Sequence, residues 1–192
     1  MSESTGRRRA DSCHADLRRP VLLTDSHYTA SFDCGKHRLN DFLVRRALEN
    51  QKGGKSRTYV ALRGSAASGG GAAPPGGAVV AFYSLAPASV GRAEATERIA
   101  KGQGNQDVPV ILLARLAVTL QEHGKGLGRY MLLDALRRSV EGADVIGGRA
   151  VLVHAEDEQA RGFYLHHGFE PSPTDDLHLL LLMKDLRKTL GL

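Results

Sequence analysis

The stretch QEHGKGLG (121–128) separates an apolar run, VPVILLARLAV (108–118), from LGRYMLLDALRRSV (127–140), whose apolar residues recur at helical spacing. This order predicts a strand, a glycine-rich turn and a helix. The N–H groups of a first helical turn have no partner inside the helix, and the helix dipole adds roughly half a positive charge there. Glycine also lets the backbone approach an oxygen atom closely. The stretch therefore predicts a turn that binds an anion such as pyrophosphate. The alternative is a plain tight turn capped by its glycines.

The composition is that of one ordinary globular domain. The chain has 192 residues, of which 42% are apolar and 24% charged, and it contains no tryptophan. A membrane span needs about 20 apolar residues, and no segment reaches that length. The basic start is not followed by the apolar segment of a secretory signal. Two cysteines, Cys13 and Cys34, make no disulfide framework. We expect a cytoplasmic protein that does not interact with membranes.

The positive charge is concentrated in the first third of the chain. Residues 1–63 carry 13 Lys and Arg against 7 Asp and Glu, a net charge of +6, whereas residues 64–192 carry 13 against 14, a net charge of −1. A basic segment of this kind is typical of proteins that bind nucleic acids or phosphates. The alternative is a solvated helix face together with a basic tail.

Hydrophobic periodicity predicts alternating strands and helices after a disordered, Arg-rich tail at 1–19. Residues 20–192 then form a single domain, interrupted by a flexible low-complexity loop, GSAASGGGAAPPGG, at 64–77. The order of elements favours one mixed α/β sheet. The predicted strands are 20–24, 56–62, 78–90, 108–118, 149–155 and 177–186, and the predicted helices are 32–54, a short one within 91–107, 127–140 and 156–168.

The predicted helix at 32–54 has a clear inner face and clear ends. Asp33 is the expected cap, and Gly53-Gly54 is the expected terminator. The residues that share the inner face are Leu39, Phe42, Leu43, Ala47 and Asn50.

Two common phosphate-binding motifs do not fit the chain. Gly124, Gly126 and Gly128 give G-x-G-x-G and not the G-x-G-x-x-G of dinucleotide-binding folds. The sequence KGGKS (52–56) lacks the first glycine of a P-loop, since Glu49 stands in its place, and it follows a helix.

The pattern that fits is Q/R-x-x-G-x-G/A, with Gln121 as its first residue, followed after a further strand by FYLHHGF (163–169). In this order the motifs resemble the GNAT acetyltransferase superfamily, over roughly residues 20 to 187. The resemblance implies an α/β (α+β) single domain whose mixed, mostly antiparallel sheet is flanked by helices and splays between its fourth and fifth strands. It also implies acetyl-CoA as co-substrate. The residues implied to hold acetyl-CoA are Leu116, Ala117 and Val118 along the pantetheine arm, His123, Gly124, Lys125, Gly126, Gly128 and Arg129 around the pyrophosphate, and Asp157, where many GNAT enzymes have an asparagine.

Tyr164 matches the tyrosine of the FYxxxGF signature, so the resemblance makes it the general acid that protonates the departing thiolate. Its phenol, with an ordinary pKa of about 10, is suited to that step. The alternative is that Tyr164 only fills the core beside Phe163 and Phe169. A covalent nucleophile is not needed for this reaction, and no metal site is expected.

A narrower resemblance rests on FDCG (32–35), LARLAV (113–118) and GFEPSPTD (168–175). These segments are similar to those of the GNAT toxins of bacterial type II toxin–antitoxin modules. That likeness implies acetylation of the α-amino group of aminoacyl-tRNA, which blocks translation, and neutralisation by a ribbon-helix-helix antitoxin. We also expect a homodimer. The tail at 1–19 and the loop at 64–77 depart from the compact pattern of these toxins.

The basic residues of the first helix and the segment after it border the acceptor side in such a fold. Phosphate contacts would give tRNA a salt-dependent affinity, although each residue is alternatively a solvated charge. Arg115, a charge inside an apolar strand, must be paired or must face a ligand or a subunit interface. The residues expected to bind the acceptor are Arg38, Arg45, Arg46, Lys52, Lys55, Arg57 and Arg115.

Two other functions stay open at this point. One is a GNAT enzyme that acetylates a small-molecule or protein amine. The other is a regulator that binds acyl-CoA without turnover, against which the intact turn and Tyr164 argue.

Overall fold

The computed structural model describes Leu17, residues 19–64 and residues 77–192. The predicted disordered tail, apart from Leu17 and Arg19, and the predicted loop at 64–77, apart from its end residues, lie outside the described residues. Leu17 forms an isolated antiparallel bridge with Arg63.

The elements follow the predicted order closely. Helix α1 is continuous but is made of three pieces, in which a π-helical turn (Phe42–Arg46) joins His37–Asp41 to Ala47–Lys52. The strands are β1 (Val21–Leu22), β2 (Arg57–Arg63), β3 (Ala78–Val90), β4 (Val108–Val118), β5 (Ala150–His154), β6 (Glu170–Pro171) and β7 (His178–Leu182), and the other helices are α2 (Glu97–Ala100), α3 (Leu127–Ile146), α4 (Glu158–His166) and α5 (Met183–Leu190).

The strands form one seven-stranded sheet in the order β1-β2-β3-β4-β5-β7-β6. β4 and β5 are parallel, from Val110 opposite Ala150 to Leu113 opposite Val153, and the pairs β1–β2, β5–β7 and β6–β7 are antiparallel. A parallel pair requires a crossover, which α3 supplies between β4 and β5. The sheet is therefore mixed, as predicted.

The chain divides into two compact units, each with its own core. The first unit comprises the chain up to Ser84 and Leu116–Leu132, and in its core the ring of Phe82 lies 5.3 Å from that of Phe32 and 6.1 Å from that of Phe42, between centroids. The second unit comprises Leu85–Arg115 and Leu133–Leu192, and its core includes Ile99, Val108, Leu152 and Leu180. Strands β3 and β4 and helix α3 run through both units. None of the described helices combines the length and the apolar character needed to cross a bilayer.

The prediction that Asp33 caps the first helix is wrong. Helix α1 begins only at His37, after Lys36, and its first turn has no side-chain cap. Asp33 instead accepts hydrogen bonds from the N–H of Gly35 (2.9 Å) and from Nδ2 of Asn40 (2.8 Å). Gly35, with φ of +79°, turns the chain so that the carboxylate reaches the side of the helix rather than its N-terminal N–H groups. The predicted end is confirmed, because α1 stops at Lys52 before Gly53.

The last predicted strand is also wrong in part. Strand β7 ends at Leu182, and residues from Met183 onward form helix α5. The run LHLLLLM conceals this change, because an unbroken apolar sequence carries neither a strand period nor a helical one. Met183 and Leu186 are buried at helical spacing, and Gly191, with φ of +73°, ends the helix. Strand β6 was not predicted, and α3 continues six residues beyond its predicted end at residue 140.

Candidate active site

The glycine loop, defined as residues 121–128, has the geometry of an anion-binding turn. A short 3₁₀ turn (Leu120–Glu122) follows β4, and α3 begins at Leu127. Gly124 and Gly126 have φ of +73° and +80°, which other residues adopt only with strain. The first hydrogen bond into the helix runs from the N–H of Tyr130 to the carbonyl of Gly126 (3.1 Å). The N–H groups of residues 127–129 therefore precede the helical ladder and are directed out of its N-terminus, as an anion requires.

A buried carboxylate holds the glycine loop in place. Glu122 is 7% exposed, and its Oε2 lies 2.8 Å from Nη2 of Arg63 and 3.5 Å from Nζ of Lys125. A buried carboxylate is tolerated because it is paired with these cations. Since the one negative charge faces two positive ones, the local balance favours an anionic ligand. The ring nitrogen Nε2 of His123 lies 2.8 Å from the carbonyl of Val118, which ties the loop to the end of β4.

Strand β4 continues five residues beyond its last pair with β5. Within the described residues, the ladder between β4 and β5 stops at Leu113 opposite Val153. Leu116 is half-buried, and Ala117 and Val118 are buried. Their contact with a pantetheine arm stays a prediction.

Tyr164 lies in the second unit, on helix α4, and its side chain is buried with 7% exposure. Its ring meets those of Phe163 (5.3 Å) and Phe169 (5.4 Å) edge to face. Burial raises the pKa of the Tyr164 phenol well above its ordinary value of 10.0. The phenol is therefore neutral at physiological pH and can act only as a proton donor or hydrogen-bond partner. The ring contacts also show that the residue contributes to packing.

Asp157 begins helix α4. Its Oδ1 accepts a hydrogen bond from the N–H of Ala160 (2.8 Å), so it is the N-cap of the helix that carries Tyr164. This role follows from the structure, whereas its contact with acetyl-CoA stays a prediction.

The second unit also contains an open cleft of about 190 Å³. Leu112, Leu152 and Leu180 form part of its apolar wall, and His154 and His178 lie on its polar side. The two imidazoles are opposite each other on β5 and β7 and stack with 4.0 Å between ring centroids. Burial, followed by the charge of His178, lowers the pKa of His154, while Asp175 and Glu94 oppose this effect. His154 is therefore neutral at pH 7. The sequence gives no sign of this pair, because residues 24 positions apart form no local pattern.

The predicted acceptor residues of α1 and the segment after it all lie in the first unit and are exposed. Arg45 and Arg46 are 77% and 69% exposed, and both pair with Asp41, at 3.1 Å and 3.5 Å. Exposed pairs of this kind contribute little to stability, so the guanidinium groups can be redirected to a ligand. Arg38, Lys52, Lys55 and Arg57 are likewise exposed, whereas Arg115 is half-buried in the second unit. Among the described residues no three His, Cys, Asp or Glu side chains are grouped as a metal site would need.

Comparison with known proteins gives a close relative. No family model matches the chain. A tRNA-acetylating toxin of Mycobacterium tuberculosis (strain ATCC 25618 / H37Rv) is 46% identical over 172 residues, which cover 90% of this chain and 96% of the relative. A probable toxin TacT of Sinorhizobium fredii (strain NBRC 101917 / NGR234) is 26% identical over 178 residues, which cover 88% of this chain and 93% of the relative.

Solved structures match the fold over nearly their whole length. A crystal structure of a tyrosine-to-phenylalanine mutant of KacT has a TM-score of 0.80 at 23% identity and covers 91% of this chain and 99% of its own. AtaT complexed with acetyl-methionyl-tRNAfMet has a TM-score of 0.79 at 24% identity, with the same coverage of 91% and 99%. At this level of identity the likeness establishes the fold.

Proposed function

Since the chain belongs to the family of tRNA-acetylating toxins of the GNAT superfamily, we propose that it transfers the acetyl group of acetyl-CoA to the α-amino group of an aminoacyl-tRNA and so blocks translation. The observation that carries this proposal is the 46% identity to a tRNA-acetylating toxin over 90% of the chain. The anion-binding geometry of the glycine loop and the exposed basic residues of α1 support the two substrates separately.

The glycine loop binds the pyrophosphate of acetyl-CoA. The backbone N–H groups of residues 127–129 and the ammonium of Lys125 supply positive charge, and Arg129 is exposed beside them. The backbone of Leu116, Ala117 and Val118 pairs with the pantetheine arm, beyond the point where β4 and β5 cease to pair. The likeness in fold to a crystal structure of AtaTR bound with acetyl-CoA, at a TM-score of 0.72, supports this assignment.

The chemistry is a direct transfer of the acetyl group from the sulfur of CoA to the α-amino nitrogen. The neutral α-amine attacks the thioester carbonyl, a C–N bond forms, and a backbone N–H at the end of β4 stabilises the oxyanion. The C–S bond then breaks, and Tyr164 gives its proton to the CoA thiolate. The α-amino nitrogen becomes positively charged when it attacks and must lose a proton. Because burial disfavours a tyrosinate, the Tyr164 phenol regains a proton in the same process. The net products are an N-acetyl-aminoacyl-tRNA and CoA.

The acceptor is held through its phosphates by Arg38, Arg45, Arg46, Lys52, Lys55 and Arg57, with Arg115 as a further candidate. These cations would release counterions from tRNA, which makes binding sensitive to salt. An aminoacyl-tRNA substrate also places the activity in the cytoplasm.

The partners we propose are a second copy of this chain and a ribbon-helix-helix antitoxin. Structures with the same fold include an AtaT mutant toxin bound to the C-terminus of the antitoxin AtaR (TM-score 0.75) and a KacTA–DNA complex (TM-score 0.70), which support an antitoxin as partner.

The test is transfer of label from radioactive acetyl-CoA to a mixed pool of charged tRNA. We expect label on the charged pool and none on the same tRNA after deacylation. Label on neither pool, with rapid acetylation of a small amine, would contradict the proposal and favour a small-amine acetyltransferase. Binding of acetyl-CoA without any product would favour a non-catalytic regulator.

A further inference from the structure

The segment FDCG (32–35), just before α1, has no part in the chemistry proposed above. It is nevertheless fixed firmly to the first unit. The side chains of Phe32 and Cys34 are buried, whereas Asp33 and Gly35 are exposed. The ring of Phe32 packs edge to face on Phe82, with 5.3 Å between centroids. The main chain at Asp33 is therefore held at a defined position on the core.

Asp33 and Asn40 close a ring of hydrogen bonds around this segment. The carboxylate oxygen Oδ1 of Asp33 accepts from the N–H of Gly35 (2.9 Å) and from Nδ2 of Asn40 (2.8 Å). Oδ1 of Asn40 in turn accepts from the N–H of Cys34 (3.0 Å). These bonds lower the pKa of Asp33, the bond from Gly35 first and that from Asn40 second, so the carboxylate is charged at any physiological pH.

The main-chain carbonyl of Asp33 connects this ring to the start of the glycine loop. It accepts hydrogen bonds from the N–H of Leu120 (2.9 Å) and from Oγ1 of Thr119 (2.9 Å). Oγ1 of Thr119 also lies 2.6 Å from the side-chain oxygen of Gln121, the first residue of the loop. The contact is close, since a Cβ on Gly35 would lie 3.2 Å from Cδ2 of Leu120.

We propose that Asp33 and Asn40 are positioning residues for acetyl-CoA, which hold the carbonyl of Asp33 where it fixes Thr119 and Leu120 and thereby preform the glycine loop. This inference rests on the proposed function, because it takes the glycine loop to be the pyrophosphate site. We call the hydrogen bonds that join Asp33 to Asn40, Thr119 and Leu120 the lock. A preformed loop loses less conformational freedom on binding than a mobile one, so the lock acts on the affinity for acetyl-CoA. It leaves the chemical step and the acceptor site unchanged.

The test compares Asp33→Ala with Asp33→Asn in the full-length protein. We expect Asp33→Ala to raise the KM and the Kd for acetyl-CoA about five- to tenfold, the effect of one or two lost hydrogen bonds. The kcat at saturating acetyl-CoA and the KM for aminoacyl-tRNA stay at the wild-type values. Asp33→Asn keeps an acceptor oxygen and restores the affinity. Asp25→Ala, at another exposed aspartate of the first unit, is the matched control and leaves both KM values unchanged.

A second variant acts from the other side of the contact. Thr119→Val removes the hydroxyl bond to Asp33 without touching the carboxylate, so it tests the inference even if Asp33→Ala does not fold. We expect Thr119→Val to raise the KM for acetyl-CoA and to leave the KM for aminoacyl-tRNA unchanged. In the double variant Asp33→Ala with Thr119→Val, the rise in the KM for acetyl-CoA should be smaller than the product of the two single rises. An unchanged KM for acetyl-CoA in a folded variant would overturn the inference. A fall in kcat together with a rise in both KM values would overturn it as well. Calorimetric binding of acetyl-CoA needs no acceptor, so it tests this lock even if the proposed function fails.

Discussion

The ring of Tyr164 contributes to packing, and its hydroxyl is the proton donor that we propose. The ring packs against Phe163 and Phe169, while the raised pKa keeps the phenol protonated. Removing the hydroxyl alone separates packing from chemistry.

We therefore expect Tyr164→Phe to fold and to bind acetyl-CoA as the wild type does, but to lower kcat about 10²- to 10⁴-fold, the usual contribution of a positioned acid. The measurement is the initial rate of label transfer at saturating substrates. Tyr28→Phe, at an exposed tyrosine, is the control and keeps the wild-type rate. Near-normal turnover in Tyr164→Phe would reduce Tyr164 to a packing residue.

Gly126 tests the pyrophosphate site at the same scale. Its φ of +80° and its place before α3 predict that Gly126→Val weakens acetyl-CoA binding at least about tenfold, a loss of about 1.4 kcal/mol. Gly191→Val, at φ of +73° in open space at the end of α5, imposes a similar backbone strain away from the loop. Calorimetry should detect weaker binding in the first variant and not in the second. Equal affinities in both would remove the loop from the site.

His154 gives a prediction about pH. Its lowered pKa means that the folded protein binds its proton less readily than the unfolded chain. The contribution to stability is therefore present above the ordinary histidine pKa of 6.5 and is lost as the pH falls below it. In an NMR titration we expect His178→Ala to raise the pKa of His154, and Asp175→Asn to lower it further. Shifts in the opposite directions would show that the charges of His178 and Asp175 do not act on His154 in this way.

At the scale of elements, helix α1 carries exposed basic residues that we propose bind the acceptor. Arg45→Glu together with Arg46→Glu should place three negative charges where two guanidinium groups now share Asp41. We expect binding of aminoacyl-tRNA to weaken at least about tenfold at low salt, since phosphate contacts dominate such affinities. Affinity for acetyl-CoA should not change.

The control for this pair is Arg137→Glu together with Lys184→Glu, which changes the net charge equally at exposed positions of the second unit. Filter binding over a range of salt concentrations measures both variants. An equal loss in both would mean that only the total charge matters, and no loss in either would remove α1 from the acceptor site.

Strands flanked by polar or glycine-rich segments were predictable from the sequence. Strands β3 and β4 have the predicted bounds, from Ala78 to Val90 and from Val108 to Val118. Helix α5 was missed because the leucines of β7 continue into it without a break. The turn of the glycine loop and the helix that carries Tyr164 were predictable because each lies in a local motif. The lock between Asp33 and Thr119 was not, since it joins residues 86 positions apart through a main-chain carbonyl.

On the scale of the whole molecule, the residues to which we propose roles lie in both units. The first unit contains the glycine loop and helix α1, and the second contains Tyr164 and the cleft lined by His154 and His178. The net charge of +5 suits a polyanionic acceptor, and it comes from the first third of the chain, since residues 1–63 carry +6 and the remainder −1.

The most direct test of the central claim is to locate the transferred acetyl group. Charged tRNA is incubated with the protein and acetyl-CoA and digested with a ribonuclease, and the released aminoacyl-adenosine is analysed by mass spectrometry. The account predicts an added acetyl group whose fragment ions place it on the α-amino nitrogen, absent when Tyr164→Phe replaces the wild type for the same short time. Acetyl found on the nucleotides, or aminoacyl-adenosine of unchanged mass while CoA is released, would contradict it.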